Sequence, residues 1–437
     1  MNILTNFPHS KNLFLFYFLF ILYLILFCWL LTRIKFFTES GLAGRILIPL
    51  FLLRIFASLI GCYFNLYYYP YSDSLSFHNA GIVEYDLLFN NTKEYFINIF
   101  QDNRNNGYSG FLEANNSFWN DTRSNLIIKI LSLFDIFSGK NYFINTLFYN
   151  FLVFFGVIAL YKVFIKVFPT SVFQLLICIF ILPSALFFSA MIHRDGLILL
   201  CLSLVIYHLF FLMRNQKFSW KRFILITVFL LLILLLRGFV FITLVPALLA
   251  WIIAHRKPKY ALVSFIGVYA IITVLFFCSG LFSTKTDLPR YVSERQIEFI
   301  KISKEGASTI NINPLYPNFR SFLNNMPQAI NHSLMRPYFT EIESFVYLPF
   351  AIEIFLFEIL FLLFIFFRKK NINLDPLIYF CVFFSVTMFL VIGYTIPIIG
   401  AIVRYRSIYF ILIMIPIICG INWDLFRKAF YIKNKKM

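Results

Sequence analysis

Three stretches carry residue types that can do chemistry beside a membrane. The first is SAMIHRDGLILL, residues 189–200, where His193, Arg194 and Asp195 stand side by side between two apolar runs. An arginine at a helix start offers a fixed fork of N–H donors, and the helix N-terminus adds free amides and partial positive charge. That combination suits a phosphate. Asp195 can instead cap the following helix while Arg194 snorkels to the interface, and the motif alone leaves both readings open. The second is YYYPYSDSLSFHNAGIVEYDLL, residues 67–88. Asp73, just past three tyrosines and a proline, is placed to act as general base on a hydroxyl, or to cap a helix. The third is GAIVRYRSIYFILIMIP, residues 400–416. Arg404 and Arg406 suit a phosphate or pyrophosphate. Two positions apart on a helix they diverge, so both reach one ligand only if that helix start is unwound, which Gly393, Pro397 and Gly400 would favour. Arg237, next to Gly238 between two short apolar runs, and Arg336, next to Pro337, complete the candidate phosphate ligands.

The elements that must position these residues are membrane spans. Of the 437 residues, 60% are hydrophobic and 13% charged, against roughly 25% charged in a soluble domain. Several apolar runs reach the ~20 residues that cross ~30 Å of hydrocarbon. The expected fold is an all-α polytopic integral membrane protein, one membrane domain over residues 1–437. About eleven transmembrane helices are read, near 12–32, 46–66, 144–164, 171–191, 196–213, 223–236, 239–254, 260–282, 345–367, 376–396 and 402–421. Between them lie two long external loops, 67–143 and 283–344, and the chain closes on a basic tail, 422–437. Residues 76–89, 125–137 and SERQIEFIKISKEG are expected to form surface helices. The N-terminal MNILTNFPHSK has no strongly basic region and no small-residue cleavage site follows, so no cleaved leader is expected.

The net charge of +18 sits in short clusters between spans, which argues for topology signals and against nucleic acid. The clusters are Arg33, Lys35 and Arg45; Lys162 and Lys166; Arg214, Lys217, Lys221 and Arg222; Arg256, Lys257 and Lys259; Arg368, Lys369 and Lys370; and Arg427, Lys428, Lys433, Lys435 and Lys436. Glu39, Asp375 and Asp424 oppose them. With eleven spans all six clusters fall on one side, which the positive-inside rule makes cytoplasmic, with the N-terminus outside and the C-terminus inside. All the candidate site residues then gather on the outer side. Charges within spans are costly unless paired, so Arg54 is expected to pair with Glu353 or Glu358 as a structural solution, with a proton relay as the alternative. The cysteines show no CxxC or metal spacing and read as lipid-facing or packing residues. No nucleotide-binding, zinc-protease or Ser-His-Asp signature supports an ATP-driven or zinc-dependent mechanism.

In the order YSDSLSFHNA, LPSALFFSAMIHRDGLILL, LMRPYFTEIESF and VRYRSIYFILI, the chain resembles polytopic proteins of bacterial surface-polysaccharide clusters and the GT-C superfamily of membrane glycosyltransferases. The resemblance implies a sugar donor carried on polyprenyl phosphate at the outer leaflet of the bacterial inner membrane, and a glycan acceptor. It implies an aspartate in the first external loop that deprotonates the acceptor or holds a divalent metal, the role Asp73 matches by position. Arginines at span ends would bind the lipid phosphate, as Arg194, Arg404 and Arg406 could. Membrane lipids and other polysaccharide-assembly proteins are the further partners implied. The acidic loop usually follows the first span in that superfamily and follows the second here, so either Asp73 is not the base or an N-terminal span has been added. Two other functions stay open. An O-antigen or capsule repeat-unit polymerase would grip polyprenyl pyrophosphate with Arg237 and arginines of loop 283–344. A lipid-linked sugar flippase or transporter would line a central path with charges.

Overall fold

The computed structural model describes residues 13–97, 118–215, 218–281, 287–303, 308–342, 344–369 and 375–434. Of the orienting cations, Lys217, Lys370, Lys435 and Lys436 lie outside the described residues. Among the described residues the chain forms helices and no strand, with isolated bridges at Thr309–Ile398 and Arg368–Ile421. The first helices are α1 (Leu13–Arg33), the single turn α2 (Lys35–Thr38), α3 (Gly44–Tyr67), α4 (Asp73–Asn90), α5 (Thr92–Ile97), α6 (Phe118–Ser138) and α7 (Tyr142–Val167). Then come α8 (Val172–Leu176), a π-helical turn (Ile177–Ile181), α9 (Pro183–Ala190), α10 (Arg194–Arg214), α11 (Trp220–Leu236), α12 (Gly238–Arg256) and α13 (Ala261–Cys278). The last are α14 (Leu288–Ser303), α15 (Phe319–Ile330), a second π turn (Asn331–Met335), α16 (Leu348–Phe367), α17 (Pro376–Thr395), α18 (Ile399–Gly420) and α19 (Trp423–Asn434).

Nine of these helices, some with a flanking turn, are long and apolar enough to cross a membrane: α1, α3, α7, α10, α12, α13, α16, α17 and α18. The chain is thus a multi-pass helical membrane protein. The expected spans all fall on helices, but two of the eleven differ in kind. Residues 171–191 are a pair of helices bent by 46° at a break. Residues 223–236 lie in α11, whose 17 residues rise about 25 Å, short of the hydrocarbon core. The surface segments 76–89 and 125–137 fall inside α4 and α6, and SERQIEFIKIS inside α14.

The break between α8 and α9 has a local cause. The π turn sends the Leu182 N–H back to the Ile177 carbonyl (3.2 Å), and Pro183 has no N–H to continue the ladder. In hydrocarbon an unmet backbone group costs several kcal/mol. Ser184 therefore needs an acceptor, and Glu353 of α16 supplies it. The Ser184 N–H donates to Oε2 at 2.7 Å and the Ser184 hydroxyl to Oε1 at 2.7 Å. At the other end of α9, Arg54 donates from Nη1 to Ser189 Oγ (3.1 Å) and from Nη2 to the Ser189 carbonyl. The expected pairing of Arg54 with Glu353 or Glu358 is replaced by these serine contacts. A carboxylate at the start of α9 and a guanidinium at its end both suit the helix dipole.

Packing groups the chain into two compact units. The first comprises Met1–Val163, Leu186–Leu212 and Lys217–Gly238; the second comprises Phe164–Ala185, Met213–Gln216 and Phe239–Met437. In the first, α4 and α6 lie along each other and bury Leu75, Phe77, Ile127 and Leu131. In the second, α17 packs on α15 and α18. Gly393 of α17 meets the Ala329 backbone so closely that no side chain fits there. The Tyr394 hydroxyl donates to the Phe322 carbonyl at 2.8 Å beside it.

Removing the carboxylate cap should be costly. Glu353→Ala leaves the Ser184 amide and hydroxyl unmet, and thermal unfolding in detergent should show a loss of about 1–3 kcal/mol. Glu353→Gln keeps one accepting oxygen and should lose less. Wild-type stability in Glu353→Ala would remove the cap from the account of α9.

Candidate functional site

The start of α10 is built from below by polar groups on apolar helices. Met191, Ile192 and His193 form the bend between α9 and α10. Tyr149 of α7 donates its hydroxyl to the His193 carbonyl, and Asn150 Nδ2 donates to the Ala190 carbonyl at 2.8 Å. Gly196 is required by close approach, because a Cβ there would lie 2.5 Å from the Ser189 carbonyl oxygen. His193 is buried in this bend.

The three neighbours His193, Arg194 and Asp195 divide their roles. Arg194 is the first residue of α10 and Asp195 lies inside its first turn, so Asp195 is not the cap. Its carboxylate is fully buried and pairs with Arg237 Nη2 at 2.7 Å. Arg237 reaches it because α11 stops at Leu236 and Arg237 is extended (φ −153°, ψ 95°) before α12 begins. These two candidate phosphate ligands are thus tied to each other. Arg194 points elsewhere. It is half-buried, donates from Nη2 to Ser124 Oγ of α6 at 2.9 Å, and stacks its guanidinium 5.2 Å from the ring centre of Phe77 in α4. Asp73 is the exposed first residue of α4, one helical turn before Phe77. Ser72, not Asp73, caps that helix, accepting from the Leu75 N–H. Asp73 and Arg194 are therefore both held at the head of α4.

Arg336, Arg404 and Arg406 belong to the second unit. The expected unwinding around Arg404 is absent, since α18 is regular from Ile399 onward. The two arginines accordingly diverge. Arg406 is fully buried and donates from Nη1 to the Ser333 carbonyl at 3.0 Å and to the Arg336 carbonyl. It staples the second π turn to α18. Arg404 is half-buried with its guanidinium 5.4 Å from the Tyr405 ring centre. The Arg336 side chain pairs with Glu341 at 2.7 Å and lies over Tyr338; its peptide bond to Pro337 is cis. Burial and the Arg336 charge push the His332 imidazole down to about 4, so it stays neutral.

Sequence reasoning passes over Phe77, Ser124, Tyr149 and Asn150. The trace it offers is that Tyr149 and Asn150 are polar side chains in a helix long enough to span, where polar groups need a purpose. Among the described residues no group of three or more His, Cys, Asp or Glu side chains converges on a point that could hold a metal ion.

Beneath α4 and α6 lies a buried polar trio. Asn145 Nδ2 of α7 donates to Asp135 Oδ1 of α6 at 2.6 Å and faces His78 Nδ1 of α4 at 3.3 Å. That contact sets the His78 tautomer with the proton on Nε2. Burial pushes Asp135 up to about 6, against donation from Asn145 and Ser138 and the nearby Lys140, with Asp86 adding to the rise. Burial pushes His78 down to about 4. No family model, curated protein or solved structure matches the chain.

The two opposed shifts make a specific pH signature. Unfolded, the imidazole titrates near 6.5 and the carboxyl near 3.9. At about pH 5 the unfolded chain holds its proton on His78 and the folded chain holds it on Asp135, so the numbers bound match and the trio adds no slope. In Asp135→Asn the neutral imidazole acts alone, and stability should rise with pH between about 4 and 6.5. In His78→Asn the protonated carboxyl acts alone, and stability should fall with pH between about 4 and 6. Thermal midpoints of both variants against wild type from pH 4 to 7 test this; slopes of one sign would refute the pairing.

Proposed function

We propose that this protein transfers a glycosyl group from a polyprenyl-linked sugar donor to a glycan acceptor at the outer face of the bacterial inner membrane, in surface-polysaccharide assembly. The reading includes the GT-C likeness, the outside N-terminus and the cytoplasmic C-terminus. One observation carries it. A half-buried arginine at the start of α10 is held by Ser124 and Phe77 at the head of the helix that begins with the exposed Asp73. Asp195, the acid next to Arg194, is already engaged by Arg237.

The chemistry follows from that placement. The acceptor oxygen attacks the anomeric carbon while its proton passes to Asp73. The bond from that carbon to the phosphate oxygen breaks, and its electron pair leaves with the lipid phosphate. Arg194 stabilises the negative charge that grows there. The polymerase reading draws support from the Arg406 staple, which ties the end of loop 283–344, with Arg336, to the start of α18. The transporter reading needs Arg54, Glu353 and Glu358 to line a path, and serines engage the first two.

A deletion strain complemented with Asp73→Asn, Arg194→Ala or Arg194→Lys tests the reading. Asp73→Asn should cut transfer about 10²–10⁴-fold, the usual worth of a general base. Arg194→Ala should cut it about 10²-fold or more. Arg194→Lys should recover part, since it keeps the charge and loses the fork. Gel ladders and lipid-linked precursors are the readout, with folded protein checked in each strain. An incomplete repeat, or a polymer lacking one sugar, is the transferase result. Single completed repeats on core with no ladder would select the polymerase. Normal polysaccharide in both Asp73→Asn and Arg194→Ala would end the proposal.

A further inference from the structure

Helices α10 and α11, which begin at Arg194 and end before Arg237, hold a different cluster with α7 at their opposite ends. Lys162 lies in the last turns of α7, Tyr207 and Phe211 in the last turns of α10, and Arg222 in the first turn of α11. All belong to the first unit. Lys162 is 9% exposed, although it is a lysine near a helix end with room to snorkel. Its Nζ lies 3.3 Å from the Phe36 carbonyl, 4.7 Å from the Phe36 ring centre and 5.7 Å from that of Tyr207. The Arg222 guanidinium lies 5.9 Å from the same Tyr207 ring and 5.4 Å from Phe211.

Two cations therefore converge on one tyrosine ring. Among the described residues no carboxylate forms an ion pair with either. Glu39, exposed beyond α2, is the acid whose field reaches Lys162, and Arg222 opposes it. Ring faces offset part of the cost of holding like charges together half out of water, and a counter-anion offsets the rest. The surroundings name the kind of anion. Phe218, Trp220 and Phe223 form an exposed aromatic group with ring centres 5.3–6.0 Å apart, the mark of headgroup depth. From there Ile224, Val228 and Leu231 run along α11 as one exposed apolar stripe at helical spacing.

We propose that Lys162 and Arg222, with Lys221 at the rim, bind the phosphate of an anionic phospholipid whose acyl chains lie along the stripe of α11. Basic pockets between membrane helices recognise acidic headgroups in this way. The site is remote in sequence from Asp73 and Arg194 and independent of the transfer reaction.

The test uses the full-length protein, stripped of lipid in detergent and titrated with phosphatidylglycerol, phosphatidylcholine or inorganic phosphate. Native mass spectrometry counts retained lipid, and the thermal midpoint reports stabilisation. Wild type should retain phosphatidylglycerol in preference to phosphatidylcholine and be stabilised by it. Arg222→Gln and Lys162→Met should each weaken that binding about fivefold, the worth of one cation near an acidic headgroup. Arg222 is half-buried at a helix start, so Arg222→Gln carries the test if Lys162→Met fails to fold. Equal retention of both lipids by wild type, or an undiminished preference in Arg222→Gln, overturns the site. Equal stabilisation by inorganic phosphate overturns its assignment to a lipid.

Discussion

An eight-residue helix cannot span a bilayer, yet α9 lies in a segment greasy enough to be read as a span. Its backbone ends are the constraint on which the rest depends. Ser184 and Ser189 are buried, so neither end meets water and each needs a partner from the protein. Glu353 supplies two accepting oxygens to Ser184, and Arg54 supplies two donors to Ser189. Charges that would be expensive on a lipid-facing helix are made tolerable by the backbone they complete. The same pairing explains why both charged residues are buried within largely apolar helices.

The position of Arg194 follows from that anchoring. With Ser189 and Ala190 fixed by Arg54 and Asn150, the bend through His193 has little freedom, and Tyr149 fixes its carbonyl. Arg194 must then begin α10 where it does. Asp195 points inward, and a lone carboxylate at full burial would be very costly. The interruption at Arg237-Gly238 answers that need, because an arginine inside a continuous helix could not extend as Arg237 does. Replacing the pair with apolar residues could be nearly neutral, whereas removing one member strands a buried charge. The helix break is thus part of the site's support, and the short length of α11 is its consequence.

Much of this was legible in the sequence, and the limits are instructive. Apolar length located the spans, and amphipathic patterning placed helices within α4 and α6 inside a polar loop, because both signals are local. Span 171–191 was legible as greasy but not as broken. Pro183 stands in it plainly, yet prolines within apolar helices are often tolerated, as Pro246 is in α12. The partners of Arg54 and Glu353 differ from the ion pair that charge alone suggests, because they include the backbone of Ser189 and Ser184. In lipid, backbone amides and carbonyls at a helix break are equally good partners. Asp73 and Arg194 could be named from type and position, whereas Phe77 and Ser124, which place them, could not. A phenylalanine and a serine carry no mark of function until the helices that hold them are folded together.

The Arg-Tyr-Arg pair shows how helix geometry assigns roles that composition leaves equal. Successive positions turn by about 100°, so Arg404 and Arg406 point some 160° apart. One must face the protein if the other faces away from it. Arg406 faces inward, where its Nη1 takes two carbonyls at the end of the second π turn, Ser333 and Arg336. Those carbonyls need donors, because a π turn that stops at Arg336 leaves its last carbonyls without helical partners. A lysine there would be a point charge in place of a planar fork and would reach the two acceptors less well. Arg406 is therefore retained for the backbone of loop 283–344 whether or not a phosphate ever meets its neighbour. A two-arginine grip on pyrophosphate from this motif would require α18 to unwind and release that loop. With Arg406 engaged by backbone carbonyls, this helix offers at most one arginine, not two, to a phosphate while the fold stays intact.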